Sequence, residues 1–196
     1  LNWWLNIKCK WGSINSNGGT RIMASKIKVD QIQTADGTGT IALQNQLSGM
    51  TSASMPTGSV LQVVEGTHAT NETTTSTSYV ATNLDAVITP SSTSSKILVT
   101  VTFPADFEGS ATHSGGDYAI YRDSTHILAM NGDSYYSNVS GGTNMALNAS
   151  LQKLDSPNST SAITYKLYMR ARNSNTTMKS CHNGGMGTVT LMEIKG

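Results

Sequence analysis

A chain of 196 residues has room for one domain with an extension, or for two small domains. Only 13% of its residues are charged and the formal net charge is +1, so no electrostatic field recommends a nucleic acid or an anionic membrane as partner. No apolar run approaches the roughly 18–20 residues of a membrane-crossing helix.

Residues 1–22, LNWWLNIKCKWGSINSNGGTRI, differ in composition from all that follows and hold the three tryptophans, Trp3, Trp4 and Trp11. They lack the layout of a secretory signal, because the apolar part is short and no small-residue cleavage pattern follows it. Met23 then opens MASKIKVDQIQ, which reads as a natural start. Gly18 and Gly19 require GGN codons, and a GGA choice would set a purine-rich ribosome-binding sequence roughly ten nucleotides before Met23. The expectation is that residues 1–22 are translated upstream sequence; the alternative is an amphipathic anchor.

Residues 23–57 read as an extended arm and linker. Ile27 and Val29 alternate with Lys26, Lys28 and Asp30, the period of a strand. Asp36-Gly37 supplies a turn, after which Ile41 and Leu43 resume the alternation. This predicts a β-hairpin, which is marginal in water unless it leans on symmetry mates or another protein. The segment SGMTSASMPTG, residues 48–58, is the small-residue linker.

The run KIKVDQIQTADGTGTIALQNQLSG resembles the N-terminal segments of bacteriophage tail-fibre and related virion proteins of the marine phage type. Val29, Asp30, Ile32, Asp36, Gly37, Gly39, Leu43 and Asn45 carry the match; Gln46 departs from it where a glycine is usual.

Residues 58–196 read as a β module. Serine and threonine make up about a quarter of the chain, which suits hydroxyl-bearing outer strand faces and argues against helices. Strands are predicted over 59–65 and 78–89, the latter interrupted near Asn83. The clearest lies in SKILVTVTFPADF, residues 95–107, where Ile97, Val99, Val101 and Phe103 alternate with Leu98, Thr100 and Thr102. Pro104 cannot donate to a ladder, so this strand is expected to end or bulge there. Further strands follow at 117–123 and 126–130. Residues 144–154 suit a helix on composition and a strand on placement. Residues 163–172 set Tyr165, Leu167, Met169 and Ala171 against Lys166, Tyr168, Arg170 and Arg172. In 187–195, Val189 and Leu191 share a face and Ile194 follows a change of phase. About eight antiparallel strands predict an all-β sandwich of jelly-roll type. The blocks TPSSTSSKILVTVTF, YAIYRD, ITYKLYMRARNS and TVTLMEIKG are similar, in that order, to the C-terminal domain that ends phage fibres. The resemblance implies a trimeric sandwich.

Chemistry is hard to find. Asp106 and Glu108 sit beside the expected strand end and read as solvated turn acids rather than a hydrolytic pair. His68, His113, His126 and His182 fall in no metal spacing, and Cys181-His182 lacks further ligands, so neither metal nor cofactor is expected. Glycine pairs lack a following Lys-Ser/Thr, which leaves phosphate binding unsupported. The long polar segments 106–117, 131–143 and 173–187 read instead as recognition loops. Tyr135, Tyr136, Asn138, Asn175 and His182 are their candidate binding residues, supplying flat aromatic area and adaptable polar groups.

The expected protein is therefore a non-enzymatic phage virion component, a short tail fibre or fibre tip. Its arm would attach to other tail or neck proteins, and its homotrimeric sandwich would meet a host-surface glycan or protein. Nucleic acid and membrane insertion are not expected. The alternatives are a head fibre or decoration protein, or a carbohydrate-binding or depolymerase module. Mass spectrometry of the mature protein from the virion is expected to place the first residue at Met23 or Ala24; a peptide containing Trp3 overturns the reading of residues 1–22.

Overall fold

A computed structural model describes residues 54–110, 112–129 and 142–196, with the backbone alone of 135–137. The described residues belong to the second of two units into which the chain divides, residues 47–196. The leader and the hairpin of the arm lie outside them, as do Met130 and Asn138.

The described residues are all-β: β1 (Val60–His68), β2 (Glu72–Thr74), β3 (Val80–Ile88), β4 (Lys96–Gly109), β5 (Ser114–Arg122), β6 (Thr125–Ala129), β7 (Tyr135–Ser137), β8 (Thr143–Asp155), β9 (Ile163–Ala171), β10 (Thr176–Ser180) and β11 (Gly187–Ile194). They form two antiparallel sheets. The six-stranded sheet runs β1-β11-β4-β10-β2, with β8 on the other edge of β4; the five-stranded sheet runs β3-β9-β5-β6, with β7 also beside β5.

The alternation read from sequence sets which face is buried. Along β4, Ile97, Val99, Val101, Phe103, Ala105 and Phe107 point inward and are all but fully buried. They meet Leu167, Met169 and Tyr165 of β9 and Val189 and Leu191 of β11 in one core. Removing each large side chain from water contributes about 1.5–3 kcal/mol, an upper value because the unfolded chain already hides some surface. Phe103 and Tyr118 meet edge to face across the sheets, their centroids 4.8 Å apart, and the Tyr118 hydroxyl donates to the Lys179 carbonyl.

Three expectations are corrected here. Strand β4 passes straight through Pro104. The proline opposes Asn148 on β8, while on the other edge it falls between Thr102, the last residue paired with β11, and Ala105, the first paired with β10. A missing N–H costs nothing where one neighbour hands over to the next. Strand β11 keeps one phase to its end, and Glu193 rather than Ile194 takes the buried position. The segment 173–187 is not one polar loop but contains β10, whose Thr176, Met178, Lys179 and Ser180 are buried. Asn83 does lie in an irregularity: the pairing of β3 with β9 shifts register between Ala81 and Asp85.

Glu193 is held by Ser91 N and Oγ at 2.7 Å each, and by Ser95 Oγ and Gln62 Nε2 at 2.6 Å each. Burial by itself would raise its carboxyl, but the hydrogen bonds from Ser95, Ser91 and Gln62 outweigh burial and hold it below the ordinary range. A depressed carboxyl contributes stability that is complete above the unfolded value near ~4.3 and is lost as pH falls through the folded value. Urea titrations from pH 7 downward are expected to show that Glu193→Gln flattens the acid limb of the stability curve. A second variant probes the sandwich edge, where a Cβ at Gly66 of β1 would sit 1.9 Å from the Asp85 carbonyl oxygen of β3. Gly66→Ala is expected to lower the urea midpoint by the equivalent of about 1–3 kcal/mol, while Thr67→Ala on the outer face changes stability by less than about 0.5 kcal/mol.

Candidate functional site

Five strand ends converge at one end of the sandwich. Gly109 of β4 pairs with Thr176 of β10 on one side and Thr143 of β8 on the other, and Ser114 of β5 pairs with Ser137 of β7. Short polar contacts tie the intervening turns. Ser110 N donates to the Asn175 carbonyl at 3.1 Å. The Asn173 amide donates to the His113 carbonyl at 2.9 Å. The Thr176 hydroxyl donates to Asn173 Oδ1 at 3.1 Å and accepts from Gly115 N at 3.2 Å. Gly109 permits the approach, since a Cβ there would lie 1.9 Å from Ser114 Oγ.

An open depression of about 360 Å³ occupies this end, lined by Glu108, Gly109, Ser110, Ser174, Asn175 and Thr177. The Glu108 carboxylate is about half exposed; it pairs with the Lys179 ammonium and accepts from Asn144 Nδ2 at 3.2 Å. Asn175 is exposed, and its side-chain amide has no hydrogen bond among the described residues. The site thus offers hydroxyls, an unengaged amide and one carboxylate, which suits hydrogen bonding to a polar surface.

The predicted residues fall in different places. Asn175 lines the depression. The backbone of Tyr135 and Tyr136 lies beside Gly116 and Gly115 of β5 at the same end of the sandwich, and their side chains, like the whole of Asn138, lie outside the described residues. His182 is elsewhere. It starts a short 3-10 turn, His182–Gly184, beyond the far end of β10, and its Nε2 stands 3.3 Å from Asp106 Oδ2.

Asp106 corrects a further expectation. It is not a solvated turn acid but a mid-strand residue 1% exposed. Lys179 Nζ is 3.8 Å from its Oδ1, yet among the described residues neither carboxylate oxygen accepts a hydrogen bond, and His182 Nδ1 is likewise buried without a partner. Such groups weaken a fold, because their lost hydration is not replaced.

The sequence reading missed an aromatic group on the outer face of the five-stranded sheet. Tyr121 stacks on His126 at 4.9 Å and on Tyr168 at 3.9 Å, and Tyr79 packs edge-on against Tyr121 and His126. The Arg170 guanidinium lies 4.7 Å from the centre of the Tyr79 ring and donates to Asp117 Oδ2 through Nε and Nη2, at 2.9 and 2.7 Å. That bond to Asp117 raises the Arg170 pKa against the opposing effect of burial. Burial raises the Tyr79 hydroxyl, with Arg170 pulling the other way. The outward row Lys166, Tyr168, Arg170 was visible in sequence. The register that sets Tyr168 opposite Ala119, and Tyr121 opposite Lys166 and His126, was not.

No group of three His, Cys, Asp or Glu side chains arranged to hold a metal occurs among the described residues. No family model matches the chain, and no curated protein matches it. The structure of black queen cell virus aligns over 100% of this chain and 92% of its own, at 9% identity and a TM-score of 0.18. That likeness is too slight to carry an argument.

Lys179→Met is expected to destabilise the fold by about 3–5 kcal/mol, because Asp106 then stays buried without the ammonium that stands 3.8 Å from its Oδ1. Lys179→Met with Asp106→Asn is expected to recover most of that loss, as read from urea midpoints.

Proposed function

We propose that the chain is a non-enzymatic bacteriophage virion protein, a short tail fibre or fibre tip built as a homotrimer of jelly-roll-like sandwiches. Its N-terminal arm joins it to other tail or neck proteins of the particle, and the converging loop end meets a host-surface glycan or protein. The observation that carries this reading is the exposed, unengaged amide of Asn175 in a hydroxyl-lined depression at that end. Amides and hydroxyls on short cross-tied turns give adaptable hydrogen bonding on a rigid support. The sequence resemblance supplies the phage assignment.

The other acids support a structural role. Asp155 is shared by Arg122 Nη1 at 2.7 Å and the Tyr165 hydroxyl at 2.8 Å, Asp117 by Arg170, and Glu193 by two serines and a glutamine. Each is engaged in holding strands together, whereas glycoside hydrolysis needs two carboxyls facing one cleft.

A second reading, a carbohydrate-binding module, is favoured by the partly exposed rings of Tyr79, Tyr121, Tyr168 and His126. Both cations beside them are neutralised, Arg170 by Asp117 and Lys166 by Asp85 at 2.9 Å, which suits a neutral sugar. Adsorption of the purified assembly to host cells distinguishes the two. Asn175→Ala, and Tyr135→Ala with Tyr136→Ala, are expected to weaken adsorption about tenfold while Tyr168→Ala leaves it unchanged. The reverse pattern rejects the loop end. Incubation with host polysaccharide is expected to release no oligosaccharide, and release overturns the non-enzymatic reading.

A further inference from the structure

Lys179 of β10 and Asp106 of β4 stand directly opposite each other in their ladder, so their side chains share the outer face of the six-stranded sheet. Both are shut away from water there: the Asp106 side chain is 0% exposed and that of Lys179 11%. The turn after β10 lies over this face, so close to β4 that a Cβ on Gly185 would meet Pro104 Cγ at 2.6 Å. Lys179 Nζ comes to 3.8 Å from Asp106 Oδ1, near enough for an ion pair but too far for a hydrogen bond. Neither carboxylate oxygen accepts a hydrogen bond among the described residues. The pairs of Arg122 with Asp155 and Arg170 with Asp117 differ, each meeting at 2.7 Å. A buried carboxylate and ammonium that recover so little of their lost hydration call for another account.

Two further groups flank the pair. Glu108, the next residue of β4 on the same face, pairs with Lys179 Nζ and is about half exposed. On the other side His182 sets its Nε2 3.3 Å from Asp106 Oδ2. A nitrogen nucleophile, an acyl carbon, a base on the nitrogen and an acid on the leaving oxygen thus meet in one place.

We propose that Lys179 and Asp106 close an intramolecular isopeptide bond between β10 and β4. Glu108 takes one proton from the Lys179 ammonium, and His182, as the imidazolium, gives one to Asp106 Oδ2. The freed nitrogen lone pair attacks Asp106 Cγ and forms the Nζ–Cγ bond. The Cγ–Oδ2 bond then breaks, and that oxygen leaves as water with a second proton from Nζ. Glu108 returns its proton to solvent and His182 regains one, so the sum is one amide and one water, with no oxidant or co-reactant. Folding supplies the proximity that the uncatalysed condensation lacks. The product is neutral, which removes both buried charges at once. The step occurs once per chain and turns over no substrate, and it is independent of the host-contact reading. It ties the short strand β10 to the long strand β4 and closes residues 106–179 into a covalent loop, as a disulfide would.

Intact mass of the full chain, unfolded in guanidinium after incubation at neutral pH, tests it. The wild-type protein is expected to be one water lighter than its sequence. Trypsin is then expected to release residues 97–122 joined to residues 173–195, because a lysine acylated at Nζ is not cleaved. Lys179→Arg keeps the charge without an acylable amine and is expected to show its full sequence mass. Glu108→Gln, followed by mass from its synthesis in a cell-free translation, is expected to close about a hundredfold more slowly than wild type. The urea midpoints of the Lys179 variants are set against the open chain, before closure. A wild-type chain of full mass overturns the bond, whatever the variants do. So does a loss of water without the branched peptide, which a succinimide at Asp36-Gly37 would give. Closure of Glu108→Gln at the wild-type rate overturns the role of Glu108 as the base.

Discussion

Strand β4 is paired along both edges for nearly its whole length, to β8 on one side and to β11 then β10 on the other. No register shift interrupts any of these three ladders. Because a strand's side chains alternate, that constraint gives the two faces of the sheet separate fates. The inward row from Ile97 to Phe107 is apolar and makes the core. The outward row changes along its length, from Leu98 through Thr100, Thr102 and Pro104 to Asp106 and Glu108. The same strand thereby carries an outward apolar residue at one end and charged residues near the loop end at the other, and the straight run through Pro104 keeps the two apart.

The buried polar groups divide along the same line. At the apolar end Glu193 is fully buried yet has its hydrogen bonds supplied by Ser91, Ser95 and Gln62, so it binds β1, β11 and the segment before β4 together. Asp155 does the same between β8, β5 and β9 through Arg122 and Tyr165. Burial, and then the bond to Asp155, push the Tyr165 hydroxyl far above its ordinary value, so it stays protonated and donating. Asp106 differs: it has the Lys179 ammonium nearby but no hydrogen bonds among the described residues. Close to the loop end the structure therefore holds a buried carboxylate without the hydrogen bonds, among the described residues, that Glu193 and Asp155 receive.

The two surfaces place different physical demands on the fold. A sheet face offers a flat area because its side chains stand in rows across strands. A host-contacting end needs polar groups held on turns, which strand termini provide because their backbone groups are already partly free of the ladders. A sandwich supplies both at once, on its face and at its end.

Fold class was legible in the chain because alternation is a local property. Ile97, Val99, Val101 and Phe103 announce an inward row whatever their partners, and the same holds for β9 from Ile163 to Ala171. The short strands β2, β7 and β10 were hidden among Ser, Thr and Asn, residues that signal turns when nothing distant pairs with them. The candidate site was legible only in part. Asn175 stood out as a polar loop residue, but nothing local separates it from His182, which the fold carries to Asp106 instead. The row Val63, Met192, Leu98, Leu154 and the stack of His126, Tyr121 and Tyr168 each combine residues far apart in sequence. Side-chain period belongs to one strand, and so the sequence by itself determined which residues face in. Register belongs to a pair of strands, and so only the tertiary structure decided which outward residues become neighbours.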